Sequence, residues 1–129
     1  MRVKLIGLIA LAAAGFAQAT NRTDALDLWR QVRTNLTTSS DFFAQIKDCL
    51  TPRFYGQVVS QPGPNELIVN VDDSAGDAEL RLTRGVKAQL SAGASIHFEG
   101  VVRSFTANPY RLKLEVWPEH FEADQGPPK

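Results

Sequence analysis

One cysteine, one methionine and two histidines are all that the 129 residues carry of the side chains most used in redox and metal chemistry. With Cys49 alone, no intramolecular disulfide can form. Zinc needs three or four converging ligands, and His97 and His120 without a supporting cysteine cluster do not supply them, so no metal and no cofactor are expected. An excess of one charge is also missing, since 14 basic residues face 14 acidic ones. Binding that neutralises many phosphates needs a basic surface, which disfavours nucleic acid as a partner. No glycine-rich phosphate loop follows a strand, and no nucleophile sits on a recognisable elbow. Ser95, His97 and Asp72 could be assembled into a triad on paper, as in almost any chain of this size. No catalytic constellation is legible, and the chain reads as a non-enzyme.

What is present begins with an address. Arg2 and Lys4 form a basic start, "LIGLIALAAAGF" an apolar stretch, and "AQA" ends at Ala19 with small residues where a signal peptidase reads. This predicts a cleaved secretory signal over residues 1–19, with a mature chain from Thr20 and a periplasmic or secreted destination. The apolar run is short of the roughly 20 residues that a span needs, so no stable membrane anchor is expected after cleavage; an uncleaved N-terminal anchor is the alternative. Without Arg2 and Lys4, 12 basic residues face 14 acidic ones, a formal charge of −2.

Two helical segments follow over 20–52. "TDALDLWRQVRTNL" places Ala25, Leu28, Trp29, Val32 and Leu36 on one face, with Thr23 as the expected N-cap and Asp24 in the first turn. "DFFAQIKDCL" has a second apolar face that includes Phe42, Phe43, Ile46 and Leu50, and Cys49 beside it is expected to be buried. From Phe54 the period changes to two. "RFYGQVVS", "ELIVNVDD", "AELRLT", "SAGASIHFEGVVRSF" and "YRLKLEVW" read as five strands, separated mostly by short turns. Inward positions are Leu67, Val69 and Val71, then Leu80 and Leu82, then Leu112, Leu114 and Val116. Gly56 and Gly100 interrupt the first and fourth strands, where glycine marks a bulge or a bend. The expected architecture is mainly β with an N-terminal helical pair: a five-stranded barrel over 53–122, and a disordered tail over 123–129. Trp29 and Phe43 should bury against the barrel, with Trp117 as their contact.

The residues "FYGQVVS", "LSAGASIHFEGVV" and "NPYRLKLEV" make the segment Phe54 to Trp117 resemble the oligonucleotide/oligosaccharide-binding (OB) fold. The phrase L-x-x-G-x-x-I-x-F-x-G looks like the turn-into-strand segment of bacterial OB-like domains grouped as tRNA-anti-like. It is also similar to the β-domain at the C-terminus of some exported tetratricopeptide-repeat proteins. The resemblance covers about half the chain, and the fold hosts many unrelated functions. This chain departs from the repeat proteins in having only two short helices before the strands. It departs from nucleic-acid-binding members in lacking a basic, aromatic-rich face.

The resemblance implies a binding surface on the second and third strands and the adjoining loops, which selects Asn70, Arg81, Arg103, Phe105, Tyr110 and Arg111 as candidate ligand-binding residues. Acidic neighbours Glu66, Asp72, Asp73, Asp77 and Glu79 would repel phosphate there. "DDSAGD" lacks the spacing and the distal glutamate of a calcium loop and reads as a hairpin turn. The expectation is an exported, non-enzymatic OB-like binding or accessory protein of the bacterial envelope, its partner a protein or a glycan. The alternative is a single-stranded nucleic-acid-binding OB protein.

Overall fold

The computed structural model describes residues 21–84 and 90–124. The expected signal segment, part of the connection between the third and fourth expected strands, and residues 125–129 of the expected tail lie outside the described residues.

Helix α1 (Arg22–Thr38) buries Ala25, Leu28, Trp29, Val32 and Leu36, the stripe that the 3.6-residue period predicts. Its N-cap is Asn21 rather than Thr23: the Asn21 side chain accepts from the backbone N–H of Asp24 at 2.8 Å. Helix α2 (Phe42–Ile46) is only five residues long. Asp48 has φ 66°, in the left-handed region, which ends the helical path and sends Cys49 and Leu50 along Val101 as an isolated bridge. Cys49 is buried as expected, 1% exposed, but it lies beyond the helix, where its carbonyl accepts from the N–H of Val102 at 3.0 Å.

Seven strands follow: β1 (Phe54–Gly63), β2 (Glu66–Asn70), β3 (Ala78–Leu82), β4 (Ser95–Phe98), β5 (Val101–Ala107), β6 (Tyr110–Val116) and β7 (Phe121–Ala123). They form one mixed sheet in the order β5-β6-β3-β2-β1-β4-β7, with β3 and β6 parallel and the other neighbours antiparallel. The expected five-stranded barrel is therefore corrected to an open seven-stranded sheet whose ends are β5 and β7.

The reason lies at Gly100. The stretch expected as one bent strand is cut into β4 and β5, because the backbone of Gly100 bonds to Thr51 instead of to a neighbouring strand. Its N–H donates to Thr51 Oγ1 at 3.0 Å, and its carbonyl accepts from the Thr51 N–H at 2.8 Å. A side chain at this position would sit 2.9 Å from Leu114 Cβ and 3.0 Å from Val116 Cγ2, too close for the strand packing that surrounds it. After the cut, β4 pairs with β1 and β7, while β5 pairs with β6. Strand β7 takes up Ala123, the first residue of the expected tail, and Asp124 is bonded directly after it.

One apolar core joins the α1 stripe to Phe54, Val58, Leu67, Val69, Leu80, Ile96, Phe98, Leu112, Leu114 and Val116. Each such side chain contributes about 1.5–3 kcal/mol when fully buried. Trp29 meets Phe54 edge-on with centroids 5.0 Å apart, and Phe43 tilts against Phe105 at 5.4 Å. Trp117 is half-buried and lies outside this core, so the aromatic neighbour of Trp29 is Phe54 rather than Trp117. Among the described residues, no helix is long and apolar enough to cross a membrane.

Candidate ligand-binding cleft

Strand β1 lies between β2 and β4, and the register aligns Asn70 with Gln57 and Gln57 with Ser95. Residues directly opposite in adjacent antiparallel strands place their side chains on the same face, about 5 Å apart. The sheet therefore carries a three-strand row of neutral polar side chains: Asn70, Gln57, Ser95. None of the three makes a side-chain hydrogen bond to another described residue.

This row lies along a cleft of about 260 Å³, which is closed on the other side by Arg22, Ala25 and Leu26 of α1 and flanked by Tyr55 and Val71. Gly56 belongs to the floor, and its missing side chain is required. A Cβ there would fall 2.5 Å from Val69 Cγ1 and 2.8 Å from the Asn70 carbonyl oxygen.

The next row on the same face aligns Tyr55 with His97 and His97 with Glu122. His97 Nδ1 lies 2.8 Å from Asp124 Oδ1 and its Nε2 lies 3.4 Å from Glu122 Oε1. Asp124 also takes Arg22 at 3.3 Å, and the Arg22 guanidinium sits 4.6 Å above the Tyr55 ring. The Arg22 cation of the cleft is thus countered by a carboxylate and held over an aromatic face. The Asp124 N–H donates to the carbonyl of Ser95 at 2.7 Å, which ties the end of β7 to the row.

The loop "DDSAGD" is a turn built on Asp77, which is 0% exposed. Its carboxylate accepts from the N–H groups of Val71 at 2.8 Å and Asp72 at 3.0 Å, and from the indole of Trp29 at 2.9 Å. Burial pushes the Asp77 carboxyl above its ordinary value, and these donors pull it back only in part. At the surface of the same loop, a bidentate bond from Arg30 holds the Asp72 carboxyl below its ordinary value. No group of three or more metal-ligating side chains occurs among the described residues.

The six residues selected from the sequence are spread over the sheet. Asn70 lies in the cleft. Arg81 is exposed on β3, aligned between Glu66 and Glu115. Arg103 bridges Asp48 at 2.6 Å and Glu115 at 2.7 Å. Phe105 is covered by Phe43. Tyr110 is 4% exposed beneath the Arg33 guanidinium, and burial raises its hydroxyl well above the ordinary phenol value. Arg111 donates to the Gly76 carbonyl at 3.1 Å. Among the described residues, no hydrogen bond or ion pair joins any two of these six. Gln57, Ser95, Tyr55 and Arg22 are not among the six. Outward alternation marks the first three, but their grouping depends on strand register.

No family model matches this chain, and no curated protein matches it.

Proposed function

We propose that this chain is an exported, non-enzymatic binding or accessory module of the bacterial envelope, and that it takes its protein or glycan ligand in the cleft beneath the first turn of α1. The observation that carries this reading is the row Asn70–Gln57–Ser95. Three hydrogen-bonding side chains from three strands face one cavity, and none makes a side-chain hydrogen bond to another described residue. A concave site with a few convergent polar groups beside apolar walls is the usual form of a binding pocket. The walls here are Leu26, Val71 and Tyr55.

The non-enzymatic reading is supported by the way the titratable groups are committed. Asp77 holds the turn and Trp29, while His97 is held between two carboxylates at the end of β7. Export is supported by the sequence of residues 1–19. Fractionation of the native host with mass spectrometry of the N-terminus tests it. The expected species begins at Thr20 in the periplasmic or extracellular fraction. A chain beginning at Met1 in the cytosol would remove the envelope reading.

A further inference from the structure

We infer that the cleft takes a neutral sugar unit of a glycan, read by the row Asn70–Gln57–Ser95. This rests on the cleft being the ligand site, and it adds the chemical class of the ligand.

Charge at the cleft favours a neutral ligand. Among the described residues, Arg22 is the one charged side chain lining the cleft, and it is engaged by Asp124 at 3.3 Å and stacked over Tyr55. An anionic ligand would have to displace that pairing and would meet Glu122 and Asp124 on the same face. A cationic ligand would meet Arg22. The balance favours a ligand without charge.

Backbone geometry disfavours a peptide. An extended peptide gains affinity by adding a strand to an open sheet edge. At Gln57 both edges of β1 are occupied, by β2 on one side and β4 on the other. The row therefore offers side chains only.

The side chains of the row also match the chemistry of a sugar. Each of the two amides presents donors and an acceptor, and the Ser95 hydroxyl presents both. Sugar hydroxyls also donate and accept, so such a row can satisfy several of them together. Leu26, Val71 and the body of Tyr55 supply the apolar wall that the C–H face of a pyranose requires.

The test is a titration of the isotopically labelled protein, as recovered from the cell, followed by NMR. Three probes are used: neutral cello- and N-acetylated chito-oligosaccharides, acidic oligogalacturonate, and a short capped uncharged peptide. The expected result is a saturable shift of the Asn70 and Gln57 side-chain NH2 signals and the Ser95 amide with a neutral oligosaccharide. Asn70→Ala, Gln57→Ala and Ser95→Ala should each weaken it about three- to ten-fold, the loss of one net hydrogen bond, while the thermal midpoint stays unchanged. Shifts at these signals with oligogalacturonate or the peptide, but not with a neutral sugar, would overturn the neutral-sugar class and leave the cleft as a binding site. Silence of these signals to all three probes would overturn both.

Discussion

The indole Nε1 of Trp29 donates to Asp77 Oδ2 at 2.9 Å, and both residues are 0% exposed. One bond thus joins the middle of α1 to the turn between β2 and β3, across the core. The carboxylate is kept in an apolar interior because its other donors, the N–H groups of Val71 and Asp72, are fixed by the turn. Trp29→Phe leaves the turn its two backbone bonds but removes the bond to the helix. It should cost about 1–3 kcal/mol, measured by urea unfolding. An unchanged midpoint would mean that the contact carries no net stability.

Asp77 also fixes a pH dependence. Its folded-state value is raised by burial, so the folded protein holds that proton more tightly than the unfolded chain does. Stability from this group is present below the ordinary carboxylate value and is lost as pH rises through the raised one. Asp77→Asn removes the titration and, with one acceptor oxygen in place of two, should itself cost about 1–3 kcal/mol. The stability difference between the wild-type protein and this variant should therefore grow as pH falls from neutral toward the ordinary carboxylate value. Unfolding curves at several pH values check the sign, and a constant difference would contradict it.

The cut at Gly100 predicts a second sensitive point. Gly100→Val forces atoms against Leu114, Val116 and the Glu115 carbonyl, and should destabilise the protein by about 1–3 kcal/mol through overpacking. Thr51→Val keeps the shape but deprives the buried Gly100 N–H of its acceptor, and should also cost about 1–3 kcal/mol. Thermal unfolding of both variants checks this, and wild-type midpoints would show that the break is held by something other than this pair.

The helices belong to the core. Removing residues before Pro52 would take away Trp29, the bond to Asp77, and the bonding of Cys49 and Thr51 to Val102 and Gly100. The remaining fragment should aggregate or unfold at a markedly lower temperature, because Phe54 and the end of the sheet lose their cover. A fragment as stable as the whole chain would make the helices an independent element.

The buried stripe of α1 and the inward residues of β2, β3 and β6 were legible in the sequence, because a period of 3.6 or of two states directly which side chains go inside. The break between β4 and β5 was not. Gly100 announced a special position, but whether it bends or severs a strand depends on Thr51, 49 residues earlier. Strand β7 was hidden because "FEADQ" is short and polar, and its pairing partner His97 is remote in sequence. Of the cleft, the sequence pattern singles out Asn70 alone. Gln57 and Ser95 join it through a register that precedes irregularities in β1 between Val58 and Ser60 and between Ser60 and Gly63, and a one-residue slip would move every side chain to the other face.

The central claim is that the row Asn70–Gln57–Ser95 is a ligand surface and not an idle polar face. Cosedimentation of the purified protein with envelope isolated from the native host tests it most directly, with the triple alanine variant at these positions beside the wild type. The wild-type protein should be retained and the variant should remain in solution, while both unfold at the same temperature. Equal retention of the two proteins would contradict it.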